Sequence, residues 1–228
     1  MTAGEDAVAL QGAAPSLRVR IIDATVRCIA RWGVAKTTLD DVAREAGCSR
    51  ATVYRAFPGG KDAVLTETAQ HEVLGFVAEV VAEAARGSTL EETTVAAVHG
   101  AARRMHESEP LQYLLEHEPA VVLPYVTFDG IEPLLALSRE ALGPVLATHL
   151  DDPRSAAEVA EWLARLIVSY GLDDTGLHEE ERARHLVRTF VLPGLEASTI
   201  DLVERIDLLS DPDLTTSDLT TSDLTTPT

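Results

Sequence analysis

The spacing of apolar positions is clearest from Thr38 to Lys61. Leu39, Val42 and Ala43 recur at helical spacing, and Gly47 follows where a left-handed residue ends a helix. Thr38 caps this short helix, with Asp41 three residues on in a weaker form of the capping box, where Glu or Gln is usual. Ser49 then caps a second short helix carrying Arg50, Thr52, Tyr54 and Arg55, which Pro58-Gly59-Gly60 closes. A short helix, a glycine turn and a second helix rich in Arg, Thr and Tyr form the pattern of a helix-turn-helix.

The same periodicity places the other elements. Ile22, Val26, Ile29 and Ala30 make a stripe from Ser16 to Trp32, and Gly33 stops it. Val64, Leu65, Val73, Phe76, Val77, Val80 and Val81 predict a long helix from Lys61 to about Arg86. Thr89 and Glu92 predict another capping box, followed by a stripe of Val95, Val98, Ala102 and Met105. Pro110, Pro119, Pro124 and Pro133 predict short, bent helical pieces, because each proline removes a donor and biases its predecessor away from helix. Helix resumes from Leu134 to Leu150 with a kink at Gly143-Pro144. Asp152-Pro153 opens a helix to Tyr170, and a last helix spans about Glu179 to Val191. Residues 1–15 lack periodicity and read as a disordered arm, as does the DLTTS repeat of 211–228. The fold class is therefore all-α, with a DNA-binding unit over 16–62 and a helical body over 63–200.

Composition fits helices. Hydrophobic residues make up 46% of the 228, but aromatics only 4%, so the core is built of Ala, Leu and Val. No apolar run reaches the roughly 18 residues of a membrane span. Two cysteines, Cys28 and Cys48, make no disulfide framework. These features predict a cytoplasmic protein without membrane partners. The formal net charge of −18 argues against nucleic acid until it is counted by segment. Residues 16–62 hold nine basic and five acidic side chains, a net +4. The remainder holds 10 basic and 32 acidic, a net −22. Only the small basic face is suited to phosphates. Arg18 and Arg20, beside the arm, are candidates for a phosphate contact, whereas Arg27 and Arg31 read as a solvated helix face.

The pattern from Ile21 to Leu65 resembles the N-terminal domain of the TetR family of transcriptional regulators. The resemblance rests on Ile21-Ile22-Asp23-Ala24, Trp32-Gly33, Thr37-Thr38, Asp41-Val42-Ala43, Ala46-Gly47, Ser49, Tyr54, Phe57 and Lys61. It covers about a fifth of the chain. Ile29 and Cys48 depart from the family's usual aromatic and Val, both conservatively for packing. The resemblance implies a three-helix domain whose third helix enters the major groove of double-stranded DNA. Arg50 and Thr52 are then the base readers, Arg for guanine and Thr for a thymine methyl. Tyr54 and Lys61 match the family's phosphate-contacting positions, and Thr38 and Ser49 present hydroxyls to phosphates. Arg55 is a further candidate, open between a DNA contact and a solvated charge. Val53 and Phe57 are core.

The resemblance also implies a homodimer on a near-palindromic operator, its recognition helices roughly 34 Å or a multiple apart. The helices 153–170 and 179–191 look like the family's dimerisation pair, with Val159, Leu163, Ile167, Leu186 and Phe190 as interface candidates. The body should enclose a small-molecule effector, apolar or amphipathic, against His99, Met105, His106, Tyr113, Tyr125 and Phe128. His99 and His106 are seven apart and share a helix face, but no Cys or carboxylate cluster completes a metal site. No cofactor is implied. An enzyme is not indicated, since no G-x-G-x-x-G, P-loop or G-x-S-x-G occurs, and in HEEER at His178 an Arg replaces the second zinc-binding His. A repressor released by its effector is the leading reading. An activator, or a regulator governed by cysteine redox chemistry or by no ligand, is the alternative.

Overall fold

A computed structural model describes residues 15–150, 152–172 and 176–197. The N-terminal arm and the DLTTS tail lie outside the described residues, as does the Phe128 side chain. The fold is all-α. The helices are α1 (Leu17–Lys36), α2 (Leu39–Glu45), α3 (Arg50–Ala56), α4 (Gly60–Ala84), α5 (Leu90–Glu107), α6 (Glu109–His117), α7 (Pro119–Val126), α8 (Glu132–Leu146), α9 (Pro153–Gly171), α10 (Glu180–Leu186) and α11 (Leu192–Ala197). A 3-10 turn (Phe128–Ile131) precedes α8, and a π-helical turn (Val187–Val191) precedes α11. The chain divides into one unit of residues 1–184 and a second of 185–228, with the division inside α10.

In the first unit α1, α2, α3 and the start of α4 enclose one apolar cluster. Ile21, Ala24, Cys28, Val42, Val53, Phe57 and Val64 are its buried members. The glycine turn has the geometry of a Schellman motif. Gly47 has φ 65°, its N–H donates to Arg44 O at 3.2 Å, and Cys48 N–H donates to Ala43 O at 2.9 Å. α1 is interrupted at Gly33, which has φ 78° and ψ 174°.

The body is built by the prolines as much as by its stripes. Pro110, Pro119 and Pro133 stand in the first turns of α6, α7 and α8, where a missing N–H costs nothing. Pro124 and Pro144 fall inside helices. Arg103 to Glu83 (2.6 Å) and Arg104 to Glu79 (2.8 Å) pair α5 with α4. α8 and α9 form a tight antiparallel hairpin. Ala156, Ala160 and Ala164 are buried, and a Cβ placed on Gly143 would lie only 3.6 Å from the Ala157 backbone. Arg139 bridges Glu132 (2.7 Å) and Glu161 (2.5 Å) across the hairpin.

α9 divides its side chains between the interior and the surface. Val159, Leu163 and Ile167 are buried within the chain, Leu163 completely. The exposed face of α9 carries Trp162 and Tyr170. In the second unit Leu186 is half-buried, and Phe190 is 70% exposed. Among the described residues, no helix is long and apolar enough to cross a membrane.

Candidate nucleic-acid interface

The helix-turn-helix is held by hydrogen bonds that its own sequence supplies. Thr38 Oγ1 accepts from Asp41 N–H at 3.2 Å, and the Asp41 carboxylate accepts from Thr38 N–H at 3.3 Å and from the Thr38 hydroxyl at 2.5 Å. Ser49 Oγ accepts from Thr52 N–H at 3.1 Å and lies 2.8 Å from Thr52 Oγ1. Both caps are complete, as short helices require. The Thr38 hydroxyl bond, followed by Arg44, holds the Asp41 carboxyl below its ordinary range.

The basic residues divide sharply by what they bind. Arg20 donates to Ala46 O at 2.8 Å, at the end of α2. Arg18 donates to Ala56 O at 2.5 Å, at the end of α3, pairs with Glu67, and lies 4.4 Å from the Phe57 ring centroid. Lys61 Nζ donates to Val34 O at 2.8 Å and Ala35 O at 3.3 Å, at the end of α1. Three helix C-termini are thus each met by a cation, the favourable arrangement for a helix dipole. Arg27 and Arg31 both bind Glu45, at 2.6 and 3.2 Å. The Arg27 bond is the main reason the Glu45 carboxyl sits below its ordinary range. The two arginines read as a solvated face therefore brace α1 to α2.

The outward face of α3 carries the remaining candidates. Arg50 pairs with Asp40 at 2.8 Å, and both are more than half exposed. Its guanidinium lies 5.6 Å from the Tyr54 ring centroid, and Tyr54 is itself 43% exposed. Arg55 donates to Thr52 Oγ1 at 3.2 Å. On one short helix Arg50 is thus paired with Tyr54, and Arg55 with Thr52. Sequence reasoning passed over Lys36. It is exposed, and its side chain makes no hydrogen bond or ion pair among the described residues. Its signal was its place immediately before Thr37-Thr38, between α1 and α2.

The effector candidates do not converge on one pocket. His106 stacks on His178, with ring centroids 3.9 Å apart and planes 8° from parallel. They border a cleft shared with Gln112, Leu115 and Tyr170. His99 Nε2 lies 3.1 Å from His178 O, but it lines a separate, charged cleft with Glu83, Arg86 and Arg184. Met105 is buried, and its sulfur faces Gly171. Tyr113 lies against Gly33 at the contact of α6 with α1, and Tyr125 is 68% exposed on α7. Sequence reasoning gave His178 no part in a site, because its contact with α5 joins residues far apart in the chain.

These elements define a class: a helix-turn-helix protein whose DNA-reading unit is joined to a helical body by a long α4. Residues 21–68 match the family model of bacterial regulatory proteins, tetR family. The HTH-type transcriptional regulator BetI of Agrobacterium fabrum is 32% identical over 162 residues, which cover 68% of this chain and 75% of BetI. The chain belongs to the TetR family and is a DNA-binding transcriptional regulator. Its fold is similar to that of the TetR family repressor AlkX from Dietzia sp. strain DQ12-45-1b, implicated in biodegradation of n-alkanes. There the TM-score is 0.60 at 23% identity, covering 81% of this chain and 98% of AlkX. It is also similar to that of FadR from Bacillus subtilis, solved with stearoyl-CoA, with a TM-score of 0.50 at 15% identity over 75% of this chain and 97% of FadR.

Proposed function

We propose that the protein is a repressor that binds a near-palindromic operator as a homodimer and is released by a small apolar or amphipathic effector. The observation that carries the reading is the α3 face. Arg50, Thr52, Tyr54 and Arg55 stand outward on a helix whose inner face is locked by Val53, next to the buried Phe57 that follows it. Arg50 can exchange its exposed bond to Asp40 for a guanine, since an exposed ion pair contributes little. Tyr54 on that face and the exposed Lys36, which precedes Thr37-Thr38, are suited to phosphates. The homodimer reading is supported by the aromatic surface of α9, where Trp162 is 43% and Tyr170 41% exposed. An effector of long apolar character is supported by the stearoyl-CoA of FadR and the alkane connection of AlkX. Within this chain the cleft bordered by His106 and His178 offers polar groups beside Leu115, Leu172 and Leu177.

The test is a mobility shift with DNA flanking the protein's own gene, repeated with acyl thioesters, fatty acids and alkanes. Retarded DNA that one of these classes releases supports the reading. Retarded DNA that none releases removes the effector clause and leaves the DNA-binding clause standing.

A further inference from the structure

We propose that Glu118 is a positioning residue for DNA binding, acting through the last turn of α1. That turn begins where Gly33 leaves the helical region, so the following amides lose their partners within α1. The Glu118 carboxylate supplies those partners from between α6 and α7. It accepts from Val34 N–H at 2.8 Å and from Ala35 N–H at 3.2 Å. The carbonyls of the same two residues accept from Lys61 Nζ on α4. Two successive residues are therefore held on their donor side by the body and on their acceptor side by the first turn of α4. Val34 is half-buried, and a half-buried backbone group without such a partner is costly, so neither grip on it is incidental.

The position of Gly33 agrees with this role. A Cβ there would stand 2.3 Å from Glu118 Oε1 and 2.7 Å from Tyr113 Cε1. Only glycine tolerates both the positive φ and the approach of the carboxylate. Beyond the turn, Gly33 O accepts from Thr37 N–H at 3.2 Å and from the Thr37 hydroxyl at 2.6 Å. Thr38, the cap of α2, follows directly. A continuous series of bonds thus runs from Glu118 to the start of the helix-turn-helix, and Lys36 lies within it. A shift of α6 relative to α1 moves Lys36 and α2 together.

The inference rests on DNA binding and on nothing about the effector. The probe is the duplex that the full wild-type chain recovers from a random-sequence library. Glu118→Ala is expected to bind it at least about fivefold more weakly, the lower range of coupling between sites. Glu118→Gln, which keeps one acceptor oxygen, is expected to fall between Ala and wild type. The dependence of log K on log salt should keep its slope in both, because Glu118 touches no phosphate. Amide exchange reads the contact without DNA: Val34 and Ala35 should be protected in wild type and released in Glu118→Ala. A folded Glu118→Ala chain with wild-type affinity overturns the proposal, and so do unprotected Val34 and Ala35 amides in wild type. Failure of the wild-type chain to enrich any duplex instead overturns the DNA-binding reading itself, while the exchange result still decides the contact.

Discussion

Replacing Lys61 by Met separates two roles that the same side chain could play. Family resemblance places Lys61 on a phosphate, whereas its ammonium is seen bonded to Val34 O at 2.8 Å and Ala35 O at 3.3 Å. Met keeps the apolar stem and removes only the charge and its donors. A charge-assisted bond contributes about 1.5–3 kcal/mol when well shielded, and a cation at a helix C-terminus about 0.3–1 kcal/mol. Lys61 and Val34 are half-buried and Ala35 is exposed, so the sum must be discounted for solvent. A loss of about 1–2 kcal/mol remains. For a chain of this size that lowers Tm by about 2–8 °C. The assay pairs thermal melting by circular dichroism with DNA affinity across a salt series. The expected result is a lower Tm, weaker binding and an unchanged salt slope. A phosphate contact would instead remove about 0.9 from the slope. An unchanged Tm together with that fall in slope would refute the capping role.

Three other outcomes follow from the geometry. On the proposed reading Arg50→Ala removes a base reader and frees Asp40, so discrimination at one base position should fall by about 1–3 kcal/mol, read by competition among single-base variants of the selected duplex. Leu163→Ala opens a cavity beneath the α8–α9 hairpin and should cost about 2–5 kcal/mol in urea unfolding, whereas Trp162→Ala should leave the urea midpoint of the monomer nearly unchanged and weaken self-association in sedimentation. The carboxyls of Asp41 and Glu45 are held below their ordinary values of 3.8 and 4.5 by hydrogen bonds from Thr38 and Arg27 respectively. Their contribution to stability is fully present above those ordinary values and is lost as pH falls through the lowered ones. Tm should therefore be flat above about pH 5.5 and fall in acid, and Glu45→Gln should fall less steeply than wild type.

The helix-turn-helix was legible because its signals are local. Thr38 with Asp41, Gly47 and Ser49 each act within four residues, and each makes the bond its type implies. Stripes and prolines located the body helices for the same reason. What sequence could not show was the destination of long side chains. Arg18, Arg20 and Lys61 belong to a basic segment, yet each ends on a helix carbonyl in another element. Periodicity placed Leu163 on the apolar side of α9, but an apolar side does not say whether the neighbour is α8 or a second chain. The stacked His106–His178 pair and the Glu118 bonds join residues 72 or more apart in effect, through packing that no local pattern encodes. Cys28 illustrates the converse. Burial, followed by Glu45 and Asp41, pushes its thiol pKa up, which keeps it a small core residue with little thiolate character.

The central claim is that the α3 face reads DNA in a two-fold arrangement. Selection from a random duplex library, followed by sequencing and by sedimentation of the complex, tests it most directly. The account predicts a near-palindrome whose half-sites lie about one helical turn, roughly 34 Å, or a multiple apart, with two chains bound per half-site pair or a multiple of two. Preference at one base position of each half-site should relax when Arg50 is replaced by Ala. Recovery of no common sequence, or of one asymmetric site bound by a single chain, would contradict it.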